Sequence, residues 1–339
     1  MNMRGIVPKT PGAADQLVMQ EFPVPRPLND ELLVRVKATA LNRADILQRQ
    51  GRYDPPKGTT PILGLEMAGV VEAVGPDCSG WHTGDRVCAL LNGGGYAEYV
   101  TIPAKMAIPV PEKLSFEEAA AIPEVFLTAY QALFWLGGLR REQRVLVHAG
   151  ASGVGTAAIQ LIKGAGAIPI ATARSTKKID YCLKVGAKVS INASDGKFAD
   201  DVLEATAGEG VDLILDCIGA SYWDQNLTAL ALDGKMVMIA MMGGLNVEQL
   251  NLGMLLRKRL QIVGTTLRSR DREYKIRLTR DFVKKILPGF LDGTYRPVVD
   301  TIFSWEEAAE AHRHMEANLN MGKIILSMER VIVQQGGGA

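Results

Sequence analysis

Three glycines in the segment HAGASGVG, residues 148 to 155, have the spacing of a turn that holds a phosphate group. The segment follows an apolar run and precedes TAAIQLIK, so the turn joins a predicted strand to a predicted helix. Glycine lets backbone amides approach a pyrophosphate, and the N-terminus of a helix favours its negative charge. The sequence therefore predicts a dinucleotide site formed by Gly150, Ser152, Gly153, Val154 and Gly155. The Ser152 hydroxyl either contacts the cofactor or caps the helix.

The residues after the next predicted strand indicate which dinucleotide binds. An acidic side chain at this point binds the ribose 2′-hydroxyl of NAD, whereas basic side chains accept the 2′-phosphate of NADP. Here the strand IPIATA runs into RSTKK, and the first carboxylate is Asp180. We predict NADPH as the cofactor, with Arg174, Ser175 and Lys178 around the 2′-phosphate. The alternative interpretation is that these residues are solvated and simply open a helix.

Six apolar segments with helical stretches between most of them surround this turn. They are RVLVHA (144–149), IPIATA (168–173), KVSIN (188–192), VDLILDCIG (211–219), KMVMIA (235–240) and LQIVGTTL (260–267). This alternation favours a doubly wound parallel sheet, in which ligands bind at the carboxyl ends of the strands. We therefore expect further cofactor contacts after the fourth, fifth and sixth strands, at Cys217, Ile218, Gly219, Met241, Met242, Gly243, Thr266, Leu267 and Arg268.

The two ends of the chain have a different sequence pattern. The first 120 or so residues contain short β-type segments, among them LLVRVKATAL, MAGVVEAVG and YAEYVTIP, and the last 70 contain two helices and a final strand, GKIILSM. Because one strand cannot stand alone, we expect it to join the sheet of the first segment. The predicted fold is α/β, with a β-rich catalytic domain (1–123 and 270–339) into which a nucleotide-binding domain (124–269) is inserted.

Composition excludes several classes of protein. Of the 339 residues, 38 are Lys or Arg and 37 are Asp or Glu, so no overall field attracts nucleic acid or an anionic membrane. The four cysteines form no CxxC pair, which argues against a disulfide framework or structural zinc. The N-terminus lacks the apolar core of a signal peptide, and no uncharged apolar run reaches membrane-spanning length. We expect a cytoplasmic protein.

Segments along nearly the whole chain resemble a known family. HAGASGVGTAAIQLIK, LGLEMAGVVEAVG, ALNRADILQRQGRYDPP, LILDCIGASYW, LRSRD and NMGKIIL are similar to the zinc-independent quinone oxidoreductases of the medium-chain dehydrogenase/reductase superfamily. The resemblance is strongest to the p53-inducible quinone oxidoreductase subgroup, and zeta-crystallin is more distantly similar. It implies a groES-like catalytic domain with a Rossmann domain, NADPH as cofactor, quinone-type substrates and a homodimer.

The resemblance also assigns roles to residues. It implies that Asn42 and Tyr53 face the nicotinamide, with the Tyr53 phenol hydrogen-bonding or protonating the quinone oxygen. The alternative for Tyr53 is that it only starts a turn with Asp54 and the prolines that follow. Thr128 is expected beside the nicotinamide, and the resemblance places Asn320 and Lys323 at the C-terminal side of the cofactor.

The zinc alcohol dehydrogenases of the same superfamily are a competing subgroup. Their GHE segment appears here as Gly64, Leu65 and Glu66, so the histidine is replaced by leucine, and the segment LNRAD lacks their first catalytic cysteine. His148 is interpreted as a core histidine, and Glu66 either supports the reaction site or binds local backbone amides. We expect no metal.

Two further functional hypotheses stay open. The nearest enzymatic alternative is an enoyl-thioester reductase, whose related fold carries a tyrosine in the segment that corresponds to QGRYDPP. The other is a non-enzymatic NADPH-binding or RNA-associated protein, which the near-zero net charge makes the less favoured hypothesis.

Overall fold

A computed structural model describes residues 1–329, and the elements below lie in that range. The strands are β1 (Asn2–Pro8), β2 (Leu17–Pro23), β3 (Glu31–Ala40), β4 (Glu66–Val74), β5 (Arg86–Leu90), β6 (Tyr99–Pro103), β7 (Ile108–Pro109), β8 (Arg144–Val147), β9 (Ile168–Ala173), β10 (Val189–Asn192), β11 (Val211–Asp216), β12 (Leu230–Met238), β13 (Gln261–Gly264), β14 (Val299–Ser304) and β15 (Lys323–Ser327). The helices are α1 (Arg43–Arg49), α2 (Phe116–Ala120), α3 (Pro123–Tyr130), α4 (Gly153–Gly164), α5 (Thr176–Val185), α6 (Ala199–Ala205), α7 (Trp223–Ala229), α8 (Leu252–Lys258), α9 (Arg272–Lys285), α10 (Pro288–Asp292) and α11 (Ala308–Glu316). A π-helical turn, Gln131–Leu136, continues α3.

Among the described residues, the first of two compact units contains Met1–Glu124, Lys275–Val283 and residues 299–329. Its main sheet has the order β14-β15-β3-β4-β5-β7, and β6 also pairs with β3. The long strand β3 pairs antiparallel with β4 along one edge, and with β6 and β15 along successive parts of the other edge. The predicted return of the final strand to the β-rich domain is therefore confirmed. Strand β14, parallel to β15, is an addition that the sequence did not predict.

The second unit contains Val125–Tyr274 and Lys284–Val298. Its six strands are all parallel and have the order β10-β9-β8-β11-β12-β13. The order reverses between β8 and β11, which is the Rossmann arrangement and the point at which such sheets bind ligands. The predicted six-stranded doubly wound sheet is confirmed. Its strands are built from fully buried branched residues that pack under the flanking helices, such as Leu146, Ile170 and Ile214.

Residues Lys284–Val298 cluster with the second unit, whereas the predicted boundaries assign everything after residue 270 to the other domain. The reason is aromatic and polar packing. The ring of Phe290 lies 4.9 Å from that of Phe126, and the Gln160 side chain donates to the Arg296 carbonyl at 3.0 Å. These contacts join residues far apart in sequence, so the local pattern gives no sign of them.

One helical stretch, Phe116–Leu136, is long and apolar enough by length and composition to cross a membrane. It is the one such stretch among residues 1–329, and 78% of its most apolar window is buried inside the protein. Burial of this kind is typical of a core helix.

Candidate functional site

The glycine turn lies between the carboxyl end of β8 and the N-terminus of the twelve-residue helix α4. A Cβ atom at Gly150 would lie 2.7 Å from the Ala171 Cβ atom, and one at Gly155 would lie 2.6 Å from the Gly150 carbonyl oxygen. Glycine is therefore required for the helix to approach the strand this closely. The Ser152 hydroxyl accepts the Gly155 amide at 3.1 Å, so Ser152 caps the helix. The turn and helix terminus fit an anionic pyrophosphate.

The loops after β11 and β12 are joined to each other by backbone hydrogen bonds. The Met242 amide donates to the Cys217 carbonyl at 3.2 Å, and the Gly243 amide donates to the Ile218 carbonyl at 2.7 Å. Because β11 pairs with β8, Cys217 and Ile218 follow the strand next to the glycine turn, and the bonds above join Met242 and Gly243 to them. The structure therefore brings together, within the second unit, the predicted contacts Cys217, Ile218, Gly219, Met241, Met242 and Gly243.

Asp216, the last residue of β11, is a further polar group at this end of the sheet that was not predicted from the sequence. Its fully buried carboxylate accepts the amides of Ile218 at 2.7 Å and Gly219 at 3.1 Å. Burial raises the pKa of Asp216 to about 6, although the two amide donors oppose this shift. The signal for it was an acidic residue at the end of a mainly apolar strand. Its role is to fix the backbone that follows β11.

The basic segment predicted to select NADPH follows β9, the neighbour of β8 on its other side. Arg174 and Ser175 are exposed and Lys178 is half-buried, with Ser175 in the N-cap position of α5. Three side chains that donate hydrogen bonds therefore follow the strand at which the ribose 2′-position is recognised in this fold.

The remaining predicted contacts of the second unit are Thr128 and the residues after β13, where the Thr265 amide donates to the Met238 carbonyl at 3.0 Å. Thr128 is buried on α3. After β13, the Thr266 hydroxyl is hydrogen-bonded to the Ser269 hydroxyl, whereas the side chains of Leu267 and Arg268 are buried.

Asn42, in the first unit, precedes α1 and is 6% exposed. Its side-chain nitrogen donates to Glu66 Oε1 at 2.8 Å, and its side-chain oxygen accepts from Lys323 Nζ at 2.7 Å. An ammonium group can only donate and a carboxylate can only accept, so these neighbours fix the orientation of the amide. The structure thus brings Asn42 and Lys323 together, with Glu66 as a third member.

The Lys323 ammonium is surrounded by protein oxygen atoms. It donates to the Leu41 carbonyl at 2.6 Å and to Asn42, and it lies 2.7 Å from Glu66 Oε1. Its three N–H groups therefore have three protein neighbours, and the ammonium holds the Asn42 side chain. The predicted place of Lys323 beside the cofactor stays a prediction.

Glu66 binds two side chains and one backbone amide. Besides Lys323 and Asn42, its carboxylate binds the Glu124 backbone amide at 2.8 Å. Asn320 donates to the Gly322 carbonyl in the turn before β15, and Tyr53 is half-buried in the loop after α1.

The donor set does not fit a zinc ion. Within residues 1–329, no three His, Cys, Asp or Glu side chains are grouped closely enough to hold a metal. Glu66 is paired with an ammonium group, and the neighbouring position that would carry a histidine ligand is the buried Leu65. His148 is a buried core histidine with both ring nitrogens hydrogen-bonded, as the sequence predicts.

Two family models match the two parts of the chain. The alcohol dehydrogenase GroES-like domain matches residues 28–112, and the zinc-binding dehydrogenase model matches residues 153–282. A GroES-like domain with a Rossmann sheet defines an NAD(P)-dependent dehydrogenase fold. A curated relative, the mouse synaptic vesicle membrane protein VAT-1 homolog-like, is 32% identical over 97% of this chain and 82% of its own length. The chain therefore belongs to the medium-chain dehydrogenase/reductase superfamily of oxidoreductases.

Similar solved structures carry several activities. An NAD-dependent alcohol dehydrogenase is 34% identical, with a TM-score of 0.86 over 96% of this chain and all of its own. A Pseudomonas syringae quinone oxidoreductase is 29% identical, with a TM-score of 0.85 over 96% of this chain and all of its own. The CurK enoyl reductase is also 29% identical, with a TM-score of 0.85 over 97% of this chain and 99% of its own. A mycobacterial protein solved with NADPH is 29% identical, with a TM-score of 0.84 over 96% of this chain and 99% of its own.

Proposed function

We propose that this protein is an NADPH-dependent reductase of quinones or related conjugated carbonyls that works without a metal, in the manner of the p53-inducible subgroup. The observation that carries the proposal is the buried group of Asn42, Glu66 and Lys323, in which an amide, a carboxylate and an ammonium group bind one another. The similarity to a solved quinone oxidoreductase supports the choice of substrate.

NADPH, when bound, supplies a hydride. The glycine turn and the N-terminus of α4 bind its pyrophosphate, and Arg174, Ser175 and Lys178 bind its 2′-phosphate. Lys323 and Glu66 hold Asn42 in one orientation beside the reacting groups. The phenol of Tyr53 donates to the substrate oxygen, which gains negative charge as the substrate is reduced.

An enoyl-thioester reductase is the second candidate. The specific observation in its favour is the similarity to the CurK enoyl reductase, which matches that to the quinone oxidoreductase in identity and TM-score. Both reactions deliver a hydride to a conjugated system and require a donor for the developing oxyanion. The acceptor that the protein reduces therefore separates the two.

A steady-state panel tests the reaction. NADPH oxidation is measured with ortho- and para-quinones, simple enones, and crotonyl and longer enoyl thioesters. We expect turnover with quinones. Turnover with enoyl thioesters alone would establish the second candidate, and NADPH binding without turnover of any acceptor would support a non-enzymatic role.

Tyr53→Phe tests the proposed proton or hydrogen-bond donor. We expect turnover to fall about tenfold if the phenol only hydrogen-bonds, and about a hundredfold if it also donates a proton. Tyr99→Phe, on β6, is the matched control and is expected to retain activity. Unchanged turnover in Tyr53→Phe would remove Tyr53 from the mechanism.

Calorimetric dissociation constants test the choice of cofactor. Arg174→Ala is expected to weaken NADPH binding about tenfold or more through loss of a charge-assisted hydrogen bond, and to leave NADH binding unchanged. Lys188→Ala, at the opposite end of the sheet just before β10, is the control. Equal affinity of the wild-type protein for NADPH and NADH would contradict the proposal.

We further propose a cytoplasmic homodimer that pairs through the edge of the Rossmann sheet. Strand β13 is an edge strand, and apolar side chains nearby in the chain are exposed, among them Leu245, Leu252 and Leu256. Unpaired edges and exposed apolar residues favour association. Light scattering should give a dimer, and Leu256→Glu should shift it to monomer. A monomeric wild-type protein would contradict the dimer, and recovery in membrane fractions would contradict the cytoplasmic location.

A further inference from the structure

A second buried polar group lies next to Asn42 in the first unit. Arg49, Tyr96, His312 and Asp45 each have no exposed surface. An Arg49 guanidinium nitrogen lies 3.2 Å from His312 Nδ1, and the Tyr96 hydroxyl lies 3.2 Å from His312 Nε2. The Tyr96 hydroxyl is in turn hydrogen-bonded to the Asp45 carboxylate. These side chains form one continuous chain of hydrogen bonds.

The hydrogen-bonding capacities of its members give this chain a single direction. Arginine only donates, so Nδ1 of His312 accepts and the hydrogen of the neutral ring is on Nε2. Burial and the Arg49 charge lower the pKa of His312 to about 3, so the ring is neutral at ordinary pH. Nε2 then donates to the Tyr96 oxygen, and the phenol hydrogen is left to donate to Asp45. Burial and the Asp45 charge hold the pKa of Tyr96 well above its usual range.

Asp45 ends the chain and connects it to the reaction site. One carboxylate oxygen accepts the Asn42 backbone amide at 2.8 Å, and the other accepts the Gly64 backbone amide at 3.1 Å. Gly64 is two residues before Glu66, and the Glu66 carboxylate accepts a hydrogen bond from the side-chain amide of Asn42. Asp45 therefore holds both backbone segments that carry this pair.

The far end of the chain is anchored as well. Arg49 donates to the Gly12 carbonyl at 3.1 Å and to the Glu316 carboxylate at 2.5 Å. Glu316 lines an open surface cavity of about 570 Å³. Since these bonds hold the guanidinium from the surface side, it cannot turn away from His312.

We propose that His312 and Tyr96 are positioning residues for the reaction, because their one-directional hydrogen-bond chain fixes Asp45 and thereby the backbone on which Asn42 and Glu66 stand. This inference rests on the proposed function only in placing Asn42 at the reaction site. Neither residue touches the substrate in this scheme.

Tyr96→Phe keeps the aromatic ring and removes the hydroxyl that connects His312 to Asp45. We expect kcat to fall about tenfold, as for loss of a hydrogen bond to a charged group, while KM for the acceptor changes less than twofold. His312→Gln retains a donor near the Nε2 position and should recover much of the activity that His312→Leu loses. His314→Gln, on the same helix and bonded instead to Asp300, is the control.

Nuclear magnetic resonance tests the chain without turnover. In wild-type protein, the ¹⁵N shifts of His312 should show a neutral ring protonated at Nε2. In protein labelled with ¹⁵N-asparagine, the resonance of the Asn42 backbone amide proton should move upfield in Tyr96→Phe and keep its position in His314→Gln. A ring protonated at Nδ1, or an Asn42 amide unchanged in Tyr96→Phe, would overturn the inference even if Tyr96→Phe lost activity.

Failure of the proposed function has a separate signature. If wild-type protein reduces no acceptor on the panel, the proposed function fails, whereas the ring protonation and the Asn42 amide still test the chain. If wild-type protein is active and all four variants keep its kcat, the positioning role fails and the proposed function stands.

Discussion

The buried imidazole of His148 gives the Rossmann unit a pH dependence of stability whose size can be worked out. The ring lies between the Thr172 hydroxyl, 2.9 Å from Nδ1, and the Asn226 side-chain oxygen, 2.7 Å from Nε2. Phe198 and Tyr222 pack edge-on against it. Burial lowers the pKa of His148 from 6.5 to about 4. Proton binding therefore favours the unfolded chain, and stability present above pH 6.5 is lost as the pH falls towards 4.

As the pH falls, two buried groups of this unit change its free energy of unfolding in opposite directions. Between pH 7 and pH 5, His148 should remove about 2 kcal/mol from the free energy of unfolding. Asp216 has a pKa raised from 3.8 to about 6, so protonation favours its folded form, and it should add about 1.4 kcal/mol over the same range. The wild-type unit should therefore lose less than about 1 kcal/mol from this pair, and a variant is needed to separate the two effects.

His148→Gln removes the titrating ring. It should be about 1 to 3 kcal/mol less stable than wild type at pH 7 through lost packing and hydrogen bonds, but should gain stability between pH 7 and pH 5 because Asp216 remains. Urea unfolding at both pH values, followed by hydrogen exchange of peptides that cover β8 and β9, reports on this unit. The control is His82→Gln, whose side chain is 83% exposed in the wild type. If His148→Gln and wild type change equally with pH, the reasoning is refuted.

Three further substitutions have expected outcomes. Gly155→Ala places a Cβ atom against the Gly150 carbonyl and should weaken NADPH binding at least tenfold; a calorimetric dissociation constant equal to that of wild type would contradict the role of the turn. Lys323→Met leaves the Glu66 carboxylate buried without its cation and should cost about 3 to 5 kcal/mol of unfolding free energy, part of which Glu66→Gln in the same chain should restore. Thermal unfolding measures both variants, and a double variant no more stable than Lys323→Met would count against the ion pair. Ser152→Ala should cost about 1 kcal/mol through loss of the α4 cap, and no change in the denaturation midpoint would remove that assignment.

The Rossmann sheet could be predicted because each of its central strands is indicated by a short, continuous stretch of sequence. Each central strand is a short run of buried branched residues bounded by turn residues, as in Val145 to Val147. The glycine turn was recognisable for the same reason, since its conformation is determined by the residues within it. Boundaries were less certain: β8 ends at Val147, so His148 lies beyond the strand that was predicted to contain it, and β12 begins at Leu230 rather than at residue 235.

Features that depend on distant residues could not be predicted in this way. Strand β14 is half-exposed along its length and carries Asp300, so it lacks an apolar alternation. Arg49 and His312 are separated by 263 positions, and Asn42 and Lys323 by 281. The sequence identified Asn42 and Lys323 as functional candidates, but only the fold shows that one holds the other.

The buried groups around Asn42 narrow the choice of a donor to the substrate. The Lys323 ammonium has protein oxygens next to all of its N–H groups, and the Asn42 nitrogen donates to Glu66. The Tyr96 phenol is fully buried and directed at Asp45. The proposed function therefore assigns the donor role to Tyr53, which is half-buried in the loop after α1, and gives Asn42 and its partners a positioning role; the turnover of Tyr53→Phe tests the first assignment.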